Sequence, residues 1–199
     1  MKAQIYRLKI TYDGYEKILN RTVDVSSNFT MAKLGYLVLA AFDTLAYHLF
    51  YLRFNGRRYE LETDDNFRSI GMKEMTDPRT VKLNQLGMNI GDEISMCYDY
   101  GCDQMFTIKL ESLADMEKGT ASEYPKVIDG AGKGILDDVF PSEFGAIVKK
   151  IKKNGKSDHE YLSPYGDTRP WDYRDFDLEL MNRQLKNDII HIARGYEAE

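Results

Sequence analysis

The chain has 199 residues, 43% of them hydrophobic and 30% charged, with a formal net charge of −5 at neutral pH. That is enough for one domain with a proper core, and fourteen Tyr and nine Phe argue against disorder over the bulk of it. The acidic balance argues against a general nucleic-acid binder, which displaces counterions with excess Lys and Arg, and no apolar run nears the roughly 20 residues of a membrane span.

The opening Met1 to Arg7 runs straight into strand-like alternation and has no signal-peptide core, so cytoplasm is the expected location. Tyr6, Leu8, Ile10 and Tyr12 alternate with polar neighbours, and after the Asp13-Gly14 turn signal Leu19, Arg21, Val23 and Val25 alternate again; the two runs read as a hairpin. Asn28 or Thr30 can accept the free amides of a helix start, and Met31, Leu34, Leu37, Val38, Ala41 and Phe42 then recur at helical spacing, which predicts an amphipathic helix over 30–42. Its apolar stripe needs a cover, and the first hairpin is the nearest candidate.

His48, Phe50, Leu52 and Phe54 alternate up to Asn55-Gly56, a two-residue hairpin turn, and Arg57 to Leu61 is the returning strand. Residues 62–80 are polar and punctuated by Pro78, which predicts a loop. Ile94, Met96 and Tyr98 on one side of a turn around Gly101, and Phe106, Ile108 and Leu110 on the other, make a third hairpin. Cys97 and Cys102 sit at its turn end. They are too few for a disulfide framework and lack Cys-x-x-Cys spacing, so they read as ordinary thiols.

Residues 119–138, with Asp129-Gly130-Ala131-Gly132-Lys133-Gly134 and Asp137-Asp138, read as loop. A helix follows Pro141 through Phe144, Ile147, Val148 and Ile151. Residues 154–169 read as a linker-like excursion, and Leu178, Met181, Leu185, Ile189 and Ile192 define a C-terminal helix. The expected fold is α+β: an antiparallel or mixed sheet built from hairpins, with a helix on one face in a β-grasp-like arrangement, plus C-terminal helices. One domain over 1–199 is expected, with its core in about 1–115 and a loop and helical part over about 116–199.

The residues now in hand resemble the plasmid pRiA4b open-reading-frame-three-like family along nearly the whole chain, in order. Ile5-Tyr6-Arg7-Leu8-Lys9-Ile10-Thr11 is similar to its first strand. Ala40-Ala41-Phe42 with His48-Leu49 resembles its helix end and next strand, and Tyr98-Asp99-Tyr100-Gly101 its Tyr-Asp-Phe-Gly-Asp turn. Tyr124-Pro125, Ile128-Asp129-Gly130, and Trp171 with Phe176-Asp177 resemble later segments. There are departures. Ile18-Leu19-Asn20-Arg21 stands for Ile-Trp-Arg-Arg; Gly35 and Phe50 stand where the family has His; Thr44 replaces a Trp; and Cys102, Gln104 and Phe106 replace an Asp, a Trp and a His. Gly134-Ile135-Leu136-Asp137-Asp138 stands for Cys-Pro-Pro-Glu-Asp. The resemblance implies no established reaction; members are generally uncharacterised, and some are labelled resolvase-like passengers of mobile elements.

His48, Asp99 and Asp138 survive from the family's polar positions. His48 shares a face with Phe50 and Leu52, as a satisfied core histidine would, while His159 and His191 lack partners at ligand spacing. Asp99 and Asp103 flank a turn, where Asp caps nearby amides; with Asp129, Asp137 or Asp138 they could instead bind a divalent cation through oxygen. The Gly130–Gly134 run lacks Gly-Lys-Ser/Thr, which argues against a phosphate loop. Lys149, Lys150, Lys152, Lys153 and Lys156 are the basic cluster, a solvated helix end or a phosphate-backbone contact. Tyr161, Tyr165, Trp171 and Tyr173 offer a partner surface or pack onto the core.

The reading is a non-enzymatic binding or structural module with a protein partner, no cofactor, and no catalytic or metal site assigned. The groups able to move a proton or grip a cation are taken as too few and too scattered to act together. Two alternatives stay open: a DNA-associated accessory protein using the five lysines, and a metal-dependent enzyme built on Asp99, Asp129, Asp137 and Asp138 with His48.

Overall fold

The computed structural model describes residues 3–61, 75–162 and 168–198. Strands β1 (Gln4–Tyr12) and β2 (Asn20–Ser26) form the first hairpin, with Leu8 opposite Val23 and Ile10 opposite Arg21. Helix α1 (Met31–Ala41) follows, started by the Thr30 side chain, which accepts from the Lys33 N–H. Strands β3 (Phe50–Phe54) and β4 (Arg57–Glu60) are the second hairpin; Asn55 and Gly56 at its turn have φ of 48° and 75°, the left-handed pair that such a turn requires. Strands β5 (Glu93–Tyr98) and β6 (Gln104–Asp115) are the third.

Strand β7 (Lys126–Ala131) lies in the stretch read from the sequence as loop. It pairs with β2 and completes a sheet of order β4-β3-β5-β6-β1-β2-β7. All pairings in this sheet are antiparallel, which settles the alternative left open between an antiparallel and a mixed sheet. Gly130 within it and the glycines that follow hid the strand, because a glycine supplies no alternating side chain to read. Helix α2 (Pro141–Asn154), a two-stranded ribbon of β8 (Glu160–Leu162) and β9 (Thr168–Pro170), and helix α3 (Leu178–Glu197) follow. The polar stretch 62–80 falls outside the described residues up to position 74. Among the described residues no helix is long and apolar enough to cross a membrane.

The helix expected to be amphipathic is buried nearly all round: among its eleven residues only Lys33 is exposed and only Ala40 half-buried. One side of α1 faces the sheet and the other faces α3, where Tyr36 stacks on Tyr196 at 5.7 Å. A helix apolar on every side has to be covered on every side. At Gly35 α1 lies directly against β3: a Cβ there would lie 2.2 Å from the Phe50 ring. Each edge strand is engaged at one point by a group outside the sheet. The Asn182 carboxamide on α3 accepts from the Val127 N–H and donates to the Val127 carbonyl, each at 2.9 Å, in place of a neighbouring strand, and Thr76 bridges Arg58 and Glu60 on β4.

Arg21 is wholly buried; among the described residues no carboxylate forms a salt bridge with it, and the Asp43 charge acts on it without direct contact. Its five N–H donors go to five backbone carbonyls: Nε to Ala41 at 3.0 Å, Nη1 to Asn20 and Ala131 at 2.8 and 2.6 Å, and Nη2 to Gly132 and Lys133 at 2.8 and 2.9 Å. The rings of Phe42 and Phe176 flank it at 5.1 and 4.4 Å. Burial pushes the guanidinium down to about 9, which leaves it cationic at neutral pH. The glycine run after β7 therefore points carbonyls inward at a cation, the opposite of the N–H groups a phosphate needs. Gly132, at φ 78°, has no room for a Cβ, which would meet the Ile18 carbonyl at 2.3 Å.

Arg21→Lys keeps the charge but offers three donors from one point, so two or more buried carbonyls lose their partner; a loss of about 2–5 kcal/mol is expected in urea unfolding. A loss below about 1 kcal/mol would show that charge alone suffices. Gly35→Ala is expected to lower stability by about 1–2 kcal/mol, because overpacking against Phe50 outweighs the gain in helix propensity. A variant that melts at or above the wild-type temperature would contradict this.

Candidate functional site

Three loops bring the site together. The segment leaving α1 carries His48, two residues before β3 begins, rather than on the strand face with Phe50 and Leu52 as the alternation suggested. The β5–β6 turn carries Asp99 at φ 56°, and the loop between β7 and α2 carries Asp138 at φ 59°. Left-handed backbone is uncommon outside glycine but several-fold commoner for Asp, because its short side chain bonds locally.

The imidazole Nε2 of His48 is 2.9 Å from Asp138 Oδ1 and 3.6 Å from Asp99 Oδ2. One donor atom from each residue lies within 4.8 Å of the other two. Asp99 uses its oxygens differently. Oδ1 accepts the N–H groups of Gly101 and Cys102 at 3.0 and 3.3 Å, the turn-capping role expected from the sequence. Oδ2 is buried and accepts no hydrogen bond from the described residues, on a residue only 5% exposed. A bare carboxylate oxygen in that position costs free energy unless a cation or proton donor meets it.

Asp138 is the open side of the cluster, with its side chain 65% exposed. Its Oδ2 accepts from the Tyr47 hydroxyl, and Tyr47 lies against the His48 ring at 4.3 Å. The Tyr47 hydrogen bond, reinforced by His48 and opposed by burial, lowers the Asp138 pKa below the usual carboxylate range. The Tyr196 hydroxyl on α3 donates to the His48 carbonyl. The Asp99 N–H donates to the Leu49 carbonyl at 3.1 Å, tying the first two loops together.

The expectation that the chemical groups are too scattered is thus corrected for His48, Asp99 and Asp138, which converge. It stands for two others. Asp103 is exposed on the β5–β6 turn, with Oδ1 3.9 Å from Cys97 Sγ, and Asp129 is exposed on β7 opposite Thr22. Burial pushes both Cys97 and Cys102 up to about 11, so both are protonated thiols at neutral pH. Positions where the family resemblance implied other polar or aromatic groups are packed: Thr44, Phe50, Gln104 and Phe106 are buried, and Gly35 touches Phe50. Tyr47 was not singled out from the sequence; its one signal was adjacency to His48.

Lys149, Lys150, Lys152 and Lys153 lie on α2 and Lys156 just beyond it, all exposed; Lys150 pairs with Asp158 at 2.6 Å and Lys152 sits over Tyr173 at 5.7 Å. Of the aromatic candidates, Trp171 is 1% exposed and packs edge-on against Phe144 at 5.4 Å, so it belongs to the core. Tyr173 is half-buried, Tyr161 is placed on β8, and Tyr165 lies outside the described residues.

A family model described as "Plasmid pRiA4b ORF-3-like protein" matches residues 4–184. The crystal structure of a protein of unknown function, MM3350 from Methanosarcina mazei Go1, is similar with a TM-score of 0.70 and 20% sequence identity, over 90% of this chain and 97% of that one. At that identity the likeness establishes the fold alone. No curated protein matches the chain in sequence.

Because the Tyr47 hydroxyl is the largest influence on Asp138, Tyr47→Phe is expected to move the Asp138 titration to higher pH, read from its side-chain carboxyl resonance by NMR. The wild-type interaction stabilises the fold above the unfolded carboxylate pKa and is lost as pH falls through the depressed folded value. An unchanged titration in the variant would exclude the Tyr47 contact from solution.

Proposed function

The chain belongs to the plasmid pRiA4b ORF-3-like family, and on that premise we propose that it is a binding module for a divalent metal ion, held by His48 Nε2, Asp99 Oδ2 and Asp138 Oδ1. The observation that carries this reading is the buried Asp99 Oδ2, which lacks a hydrogen-bond partner among the described residues and lies beside an imidazole nitrogen and a second carboxylate. At metal–ligand distances of about 2.1 Å, ligands at right angles stand about 3.0 Å apart and tetrahedral ones about 3.4 Å. The 2.9 and 3.6 Å separations from His48 Nε2 are close to those edges.

One imidazole and two carboxylates suit a borderline cation such as Zn²⁺, Mn²⁺ or Fe²⁺ better than Ca²⁺, which takes six to eight oxygens. Two carboxylates match the charge of such an ion. Three protein ligands leave coordination positions on the side where Asp138 is exposed, where water or an external donor completes the shell. Binding, rather than a named reaction, is what this set supports. Two free thiols are in keeping with a reducing, cytoplasmic setting.

The test is thermal unfolding of metal-stripped protein with Zn²⁺, Mn²⁺ or Co²⁺ added. At a hundredfold excess over Kd the ion contributes about 2.7 kcal/mol, a rise of about 5–10 °C for a chain of this length. Asp99→Asn is expected to abolish the rise while leaving the metal-free protein as stable as wild type or more so, since a bare buried charge is removed and Oδ1 keeps its turn contacts. No rise with any of the three ions would end the proposal.

A further inference from the structure

Asp137, beside Asp138, was a candidate oxygen ligand on composition. Its geometry assigns it otherwise. Both carboxylate oxygens are already engaged: Oδ1 accepts from the Tyr98 hydroxyl at 2.6 Å, and Oδ2 accepts from the Leu45 N–H at 3.0 Å. Each partner stands close in the chain to one member of the cluster. Tyr98 precedes Asp99, Leu45 lies three residues before His48, and Asp137 itself precedes Asp138. The Tyr98 ring, wholly buried, also meets the His48 ring edge-on at 5.7 Å.

We propose that Asp137 is the positioning residue of the ion site: its carboxylate joins the three loops so that His48, Asp99 and Asp138 converge before any ion arrives. The proposal rests on the ion-binding reading above and deepens it. A metal site needs its ligands held to within about half an ångström, and loops do not hold such tolerances without a supporting shell. Here the two flanking ligands come from left-handed loop residues, so the support has to come from elsewhere. A charged carboxylate is suited to the task twice over. It accepts two hydrogen bonds of the charge-assisted kind, and its negative charge beside the cluster favours a cation over vacancy.

Asp137→Asn removes the charge and leaves one side-chain acceptor for two donors. Tyr98→Phe removes one donor and keeps the ring against His48. Each is measured in the full chain for three quantities: metal-free melting temperature, affinity for Zn²⁺ and Co²⁺ by titration, and the visible Co²⁺ spectrum at saturation. Asp137→Asn is expected to weaken binding about 10–100-fold, as loss of a supporting group does, and to alter the saturated Co²⁺ spectrum. Tyr98→Phe is expected to weaken binding less, in the same direction, and the double variant to be no weaker than Asp137→Asn alone, since both act through one contact.

If wild type binds neither ion, the ion site itself is wrong and this proposal falls with it. If wild type binds and both variants bind equally tightly, Asp137 positions nothing and only this proposal is overturned. Should Asp137→Asn fail to fold, Tyr98→Phe decides: weaker binding with an unchanged metal-free melting temperature supports positioning, and full affinity overturns it. Affinity that falls only with stability, at an unchanged Co²⁺ spectrum, makes Asp137 a purely structural residue and likewise overturns the proposal.

Discussion

A single buried cation organises the end of the molecule where the candidate site lies. The Arg21 guanidinium gathers carbonyls from β2, from the last residue of α1 and from the turn after β7, and it is flanked by Phe176 just before α3. A buried charge not paired directly with a carboxylate is tolerated only when its hydrogen-bonding capacity is filled, and all five donors are used. The carbonyl end of α1 carries partial negative charge, which adds to the match. The two chain segments that leave this cage are the ones that lead to His48 and to Asp138.

Those segments then run beside each other, joined by contacts along their length. Lys133 faces Asp43 at 3.7 Å, the Ile135 N–H donates to the Phe42 carbonyl at 3.0 Å, Asp137 accepts from Leu45, and Asp138 meets Tyr47 and His48. The cage thus sets the register in which the loops approach, and the last contacts of the series are the site. Asp99 arrives from the third side, across β5. Its two oxygens divide structural and chemical work: one closes the turn that delivers it, and the other is left bare toward the imidazole. Such division lets a residue be required by the turn while still carrying an interaction that costs stability in the empty site.

The departures from the family pattern gain a physical meaning in this arrangement. Gly35 and Phe50 stand where the family has histidines, and here the absent Cβ of one makes space for the ring of the other. Gln104 is buried between the Tyr12 hydroxyl and the Val139 carbonyl, and Thr44 caps back onto Leu39. At 35 and 50 imidazoles give way to packing, and at 44 and 104 an aromatic ring gives way to a buried, hydrogen-bonded polar side chain. The exchange stops short of the three residues whose atoms converge.

Most of the architecture can be read from local pattern. Period-two alternation marks three hairpins, Asn55-Gly56 marks one turn type, and helical spacing marks α1, α2 and α3, because these periodicities are consequences of backbone geometry within a few residues. Strand β7 escapes such reading, since Gly130 has no side chain to alternate and its neighbours are chosen to wrap Arg21. The full burial of α1 depends on α3, which arrives more than a hundred residues later. The site is of the same kind. His48 and Asp138 are 90 positions apart and individually ordinary, one beside a strand and one in a loop. Whether they face each other is decided by how loops dock on the sheet, a property of non-local contacts that leaves no spacing in the sequence to detect.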